Sequence, residues 1–249
     1  MTPHCRYVLR LADTNLVLAQ RLGEWVGHAP AIEEDLGLAN VALDLLGQAR
    51  MLLAHAGELE GRGRGEDDLA YLREEFEYLN LTLVEQPNGD FGRTIVRQFL
   101  FDAWHCALYQ ALLSSSDPQL AAIAAKSAKE SAYHLRYSSG WLIRLGDGTP
   151  ESHERVQQAL DRLWPFTNEL FDGDDVERAA AAAGIGPAPE SLRDAWSRRV
   201  DEVLTEASLA RPPPVPFGWY GKQGRHGEHL GYLLAEMQSL HRAHPGATW

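Results

Sequence analysis

The sequence predicts an all-α protein: a bundle of four long helices with accessory helices at its C-terminal end. Three observations lead there. Apolar residues recur at three and four over long segments, the period of an amphipathic helix. Caps, prolines and glycines bound those segments, and no stretch alternates with the period of a strand. Residues 36–56 form the third observation: they are apolar on nearly every face, with no proline and no β-branched run. Such a helix is expected at the centre of the molecule. Within it Asn40, Asp44 and Gln48 lie four apart, so they are expected to form one polar line. A buried polar line needs partners, because an unpaired buried polar group costs about 1–3 kcal/mol.

The elements follow in order. A first helix is predicted over residues 7–25, where Val8, Leu11, Leu18, Leu22 and Trp25 form a stripe interrupted by Asn15. Gly27 and Pro30 end it. The central helix begins near Glu33, with Glu33, Glu34 and Asp35 in the turn where the helix dipole favours acids. The loop 61–65 alternates glycine and arginine, and a shorter helix is expected over 66–79. Asn88-Gly89 marks a turn. The third long helix spans about 91–113 and places Ile95, Phe99, Asp102, Cys106 and Tyr109 on one face. Asp117-Pro118 is a cap followed by proline at the first helical position, so a fourth helix starts there and stops at Gly146. Its inner line, Leu120, Ala124, Ser127, Ser131, His134, Ser138 and Leu142, is small in the middle, which predicts a close neighbouring helix.

Thr149-Pro150 starts a fifth helix that should kink or break at Pro165. Asp174 with Glu177 reads as a capping box. Another helix is expected over 191–209, an extended run over 211–216, and a glycine-rich loop over 218–227. A last helix covers about 228–244. No repeat or long linker divides the chain, so one domain over residues 1–249 is expected.

Composition narrows the function. The chain has 249 residues, with 23 basic against 35 acidic side chains, a net charge of −12. That argues against nucleic acid or an anionic membrane surface as a partner. No apolar run suggests a membrane span, and the first residues do not resemble a signal peptide. Cys5 and Cys106 lack metal spacing and read as free thiols in a reducing cytoplasm.

Long helices with inward polar residues invite a di-iron centre, which needs carboxylates on two helices and Glu-x-x-His on two others. None of the ten histidines follows a glutamate by three. His134 has Ser131 at that position. His105 has Asp102, read as a satisfied buried pair. Nucleotide-binding loops, a serine-nucleophile elbow and a zincin motif are also missing. Lys222, Arg225 and His226 form the one loop that could touch a phosphate, the plainer reading being a solvated loop or a contact between subunits.

Several segments together resemble a known family. They are Arg21-Leu-Gly-Glu-Trp-Val-Gly-His-Ala-Pro30, Leu38-Ala-Asn-Val-Ala-Leu-Asp-Leu-Leu-Gly-Gln-Ala-Arg50, Val84-Glu-Gln-Pro-Asn-Gly89 and Phe101-Asp-Ala-Trp-His105. Lys129-Glu-Ser-Ala-Tyr-His-Leu-Arg136 and His229-Leu-Gly-Tyr-Leu-Leu-Ala-Glu-Met-Gln238 extend the set. They resemble the PaaC family, the C-type subunits of phenylacetyl-CoA epoxygenases, over nearly the whole chain. The resemblance implies a ferritin-like four-helix bundle in a cytoplasmic complex that epoxidises the aromatic ring of phenylacetyl-CoA with O2 and NADPH-derived electrons.

It further implies a non-catalytic chain. The di-iron site is expected in the catalytic A-type partner, with a reductase and accessory subunits completing the complex, and no cofactor is expected here. By the same pattern, a vacated di-iron centre would be refilled by a structural polar core of Asn15, Asp44, Gln48, Asp102, Ser131 and His134. A large apolar interface is expected, with Trp219, Tyr220 and Trp249 as candidates. Two alternatives stay open: an oxygenase in its own right, with metal around Asp44, Asp102, His105 and His134, and a CoA-binding module using the loop 222–229.

Overall fold

A computed structural model describes residues 1–216 and 218–247. Among them the chain is helical, and the only β pairing is a single bridge between Tyr220 and Arg225. The chain gathers into two compact units, residues 1–87 with 220–249 and residues 88–219, and each is described in turn.

In the first unit, α1 (Pro3–Gly23) packs along α2 (Ile32–Glu60). The start of α1 lies four residues before the expected one, because Thr2 caps it: its Oγ1 accepts from the Cys5 amide at 3.2 Å, with Pro3 at the first helical position. Val8, Leu16, Leu18 and Leu22 of α1 and Leu38, Val41, Leu45 and Leu52 of α2 supply the core. Cys5 is buried and Cys106, in the second unit, is partly buried; both are free thiols.

The expectation that α2 is buried on every side is corrected. Ile32, Leu36 and Leu43 are 73, 61 and 65% exposed. The polar line also behaves differently from its expected form: Asn40 is exposed, Asp44 half-buried and Gln48 buried. Helix geometry explains it. Four residues turn the helix by about 400°, so a row at that spacing precesses by about 40° per step. Two steps carry the row from the surface to the core. By length and composition α2 is the one helix among the described residues that could cross a membrane. It carries Asp44, Gln48 and Arg50 at mid-length and packs against α1, which makes it a core helix with one bare face.

The predicted helix over 66–79 is broken. α3 (Glu66–Tyr71) ends, and a 3-10 turn follows at Glu75–Glu77. The cause is Arg73, whose guanidinium is buried and donates to the Leu69 and Glu77 carbonyls and to the Asp13 carboxylate. Those carbonyls are thereby turned away from a continuing helix. A short α4 (Thr82–Glu85) and α10 (Leu230–Ala243) both pack on α1.

The second unit is built on α5 (Phe91–Leu112) and α6 (Pro118–Gly146), packed along one another. Asp90 caps α5 through the Arg93 amide at 2.8 Å. Asp117 caps α6 through the Gln119 and Leu120 amides at 2.9 and 3.1 Å, as its sequence predicts. Ala124, Ser127, Ser131 and Ser138 are fully buried, so the small residues of α6 do admit a close neighbour. α7 (Pro150–Leu163) gives way at Pro165 to a 3-10 turn, Trp164–Leu170, the predicted break. α8 (Asp175–Ala182) carries the expected capping box of Asp174 and Glu177. α9 (Arg193–Glu206) is held to α5 by Trp196, whose Nε1 donates to the Leu100 carbonyl at 3.0 Å.

Candidate functional site

Three of the six predicted polar-core residues lie in the second unit. Asp102 on α5 and Ser131 and His134 on α6 are fully buried. Asp102 Oδ1 accepts from Gln98 Nε2 at 2.7 Å, and Oδ2 accepts from Ser138 Oγ at 2.7 Å. Burial pushes the Asp102 pKa up to about 6; the nearby His134 charge and the two hydrogen bonds pull the other way and do not offset it.

The expected Asp102/His105 pair is corrected. His105 shares a hydrogen bond with Ser131 instead, Nδ1 to Oγ, at 3.2 Å. Asp102 and His105 of α5 therefore each meet a serine of α6. Burial, reinforced by the His134 charge, holds His105 well below the ordinary histidine pKa, so it stays neutral. Its ring stacks on Phe101 at 4.6 Å and meets Tyr109 edge-on at 4.4 Å. The aromatic walls and the hydrogen bond fix its orientation.

In the first unit, Asn15 and Gln48 are both buried and joined directly, Asn15 Nδ2 donating to Gln48 Oε1 at 3.2 Å. Asp44, predicted within this core, sits half-exposed on α2, for the helical reason given above.

The donor set does not suit a di-metal centre. Such a centre takes bridging carboxylates and a histidine on each of two helices. Asp102 is the one fully buried carboxylate of the second unit's network, and both its oxygens already accept hydrogen bonds. Asp102, His105 and His134 do not bring three ligand atoms within 4.8 Å of one another.

The loop 222–229 has an internal task that the phosphate reading did not foresee. His226 Nδ1 faces Glu85 Oε2 at 3.0 Å and its Nε2 faces the Tyr78 carbonyl at 2.8 Å. Glu85 also accepts from the Gly227 amide at 2.6 Å and from Asn80 Nδ2 at 3.2 Å. Burial lowers the His226 pKa, but the Glu85 hydrogen bond and charge, with the Tyr78 carbonyl, outweigh it and hold the pKa above the ordinary value. With acceptors on both nitrogens the imidazolium is the species this pocket selects, and no ring nitrogen is left for a phosphate. The Lys222 carbonyl accepts from Arg10 Nε at 2.9 Å. Gly224, at φ +79°, brings the loop so close to Phe76 that a Cβ would lie 2.2 Å from its carbonyl oxygen.

A buried ion pair between Asp13 and Arg73 also escaped the sequence reading. Both residues are fully buried, and Asp13 also accepts from the Leu79 amide at 2.9 Å. Among the candidate interface aromatics, Trp219 is half-buried and stacks on Phe166 at 4.4 Å, and Tyr220 is exposed. Trp249 lies outside the described residues.

A chain whose described residues form helices and no strand, built on long paired helices with hydrogen-bonded polar side chains at their centres, defines a protein of the ferritin-like class. The family model described as "Phenylacetic acid catabolic protein" matches residues 1–249, and the chain belongs to that family. It is 55% identical over 243 residues to the C-type subunit of the 1,2-phenylacetyl-CoA epoxidase of Escherichia coli (strain K12), a match covering 98% of each chain. The chain is thus a homologue of an epoxidase subunit of phenylacetate catabolism.

Proposed function

We propose that this chain is the non-catalytic structural subunit of a cytoplasmic, NADPH-dependent phenylacetyl-CoA 1,2-epoxidase, and that it pairs with and supports the di-iron catalytic A-type partner. One observation carries the non-catalytic part. Most of the buried polar side chains at the centres of its long helices bond to one another, Asn15 to Gln48, Asp102 to Gln98 and Ser138, and His105 Nδ1 to Ser131, while His105 Nε2 and Gln98 Oε1 have no partner among the described residues. The sequence offers no Glu-x-x-His to rebuild a metal site around them. Such a hydrogen-bonded network fixes which residues face each other and so sets helix register. The same proposal holds that residues 1–249 act as one ferritin-like domain.

Iron content tests this reading. The chain, purified alone and reconstituted anaerobically with excess ferrous iron, is expected to hold close to none after desalting. About two irons per chain, the content of a di-iron bundle, would overturn it and make Asp44, Asp102, His105 and His134 the ligands to vary.

A further inference from the structure

Two arginines of the second unit lie within reach of one another's charge. Arg93 stands in the first turn of α5 and Arg162 in the last turn of α7. The two helices pack together, and a Cβ on Gly92 would lie 3.1 Å from Val156 Cγ1. Neither guanidinium makes a hydrogen bond or an ion pair with any described residue. Asp90, the acid beside them in the chain, is engaged elsewhere. Its Oδ1 accepts from the Arg93 amide at 2.8 Å, and its Oδ2 faces Arg155 at 3.7 Å. Burial and the Arg162 charge hold the Arg93 pKa below the ordinary guanidinium value, and Asp90 pulls the other way without offsetting them.

The Arg93 side chain has the form of half a clamp. Its stem lies across the turn at Gly89, where φ is +62° and a Cβ would come within 2.8 Å of Arg93 Cδ. Its Nε is covered and has no partner among the described residues, whereas its terminal nitrogens are not enclosed in this way and reach solvent. A covered donor without a partner and two like charges side by side each disfavour this arrangement on its own. An oxyanion between the guanidiniums reverses the second effect. The planar fork of arginine matches the oxygen pairs of phosphates and carboxylates. Two full positive charges suit a dianion, and a phosphate monoester is close to that charge at neutral pH. We propose that Arg93 and Arg162 form a binding site for a phosphate dianion, free or carried as a monoester on a larger molecule, each guanidinium donating from its terminal nitrogens to separate phosphate oxygens. The site makes no use of the loop 222–229 and stands or falls apart from the subunit reading above.

Calorimetric titration of the purified chain tests the site with two probes, inorganic phosphate and AMP, at about 0.1 M salt so that distant charges are screened. Binding is expected to saturate at a single site per chain. Arg162→Gln, at an exposed side chain, should keep the thermal midpoint, as surface changes do. It should weaken binding about tenfold or more, the usual effect of losing a hydrogen bond to a charged group. Arg93→Lys keeps the charge but loses the fork, and should also weaken binding. Arg178→Gln removes an exposed charge on α8 that is paired with Asp175, and should leave binding within about twofold. Tighter binding of AMP than of inorganic phosphate assigns the site to a phosphate carried on a larger molecule; inorganic phosphate binding at least as tightly assigns it to the free ion. Absence of saturable binding of both probes by the wild-type chain overturns the site. So does binding that survives both Arg162→Gln and Arg93→Lys. A loss in Arg178→Gln as large as in Arg162→Gln would reveal a general charge effect and overturn it as well.

Discussion

His226 and Glu85 are 141 residues apart and form a buried contact of 3.0 Å, each side chain almost completely enclosed. The pair ties the glycine-rich loop 218–227 to the short helix α4. Removing one partner leaves a buried charge without compensation. His226→Ala is therefore expected to destabilise the chain by about 3 kcal/mol near pH 6, measured by urea unfolding.

The same pair gives a pH dependence of known sign. The folded pKa of His226 is raised above its unfolded value of 6.5. Its contribution to stability is complete below pH 6.5 and is lost as pH rises through the folded pKa. The gap between wild type and His226→Ala should narrow from pH 6 toward pH 9. A gap that widens over that range would mean that the ring is neutral when folded.

Asp102 gives the opposite comparison. Its folded pKa is raised from 3.8 to about 6, so the folded chain binds the extra proton and stability falls as pH rises from about 4 to about 6. The ionised form costs on the order of 3 kcal/mol. Asp102→Asn carries no such charge. Relative to wild type, it should gain stability between pH 4.5 and pH 7, in paired urea titrations. An unchanged difference would mean that the carboxyl keeps its ordinary pKa in the fold.

What the sequence could convey follows from how local each signal is. Caps at Asp117 and Asp174 and the break at Pro165 were legible because each acts within one turn of its own residue. Asn15 and Gln48 were found as polar interruptions of apolar helices. Gln98 was missed, although it stands one turn before Asp102, because a single polar residue four before another is common on any helix. Arg73 was read as part of a helix, since its partner Asp13 is 60 residues away and nothing local predicts the turn inward. The bare face of α2 was misread for a different reason. Apolar composition all round the helix suggests burial, yet it does not say whether the burial is within the chain or against another one.

Gly224 tests how tightly the loop is seated. Its φ of +79° lies where side chains other than glycine are strained, and a Cβ would meet the Phe76 carbonyl oxygen at 2.2 Å. Gly224→Ala must shift the loop away from residues 76–78, and so pull His226 from Glu85 and from the Tyr78 carbonyl. The cost should reach about 2 kcal/mol or more from strain and the weakened pair together. Hydrogen exchange would locate it: the Gly227 amide, which donates to Glu85 at 2.6 Å, should exchange faster in the variant, while amides in the middle of α5 keep their rate. Because both effects act through the His226–Glu85 contact, Gly224→Ala and His226→Ala should be less than additive in the double variant. Full additivity would show that the glycine and the ion pair hold the loop independently.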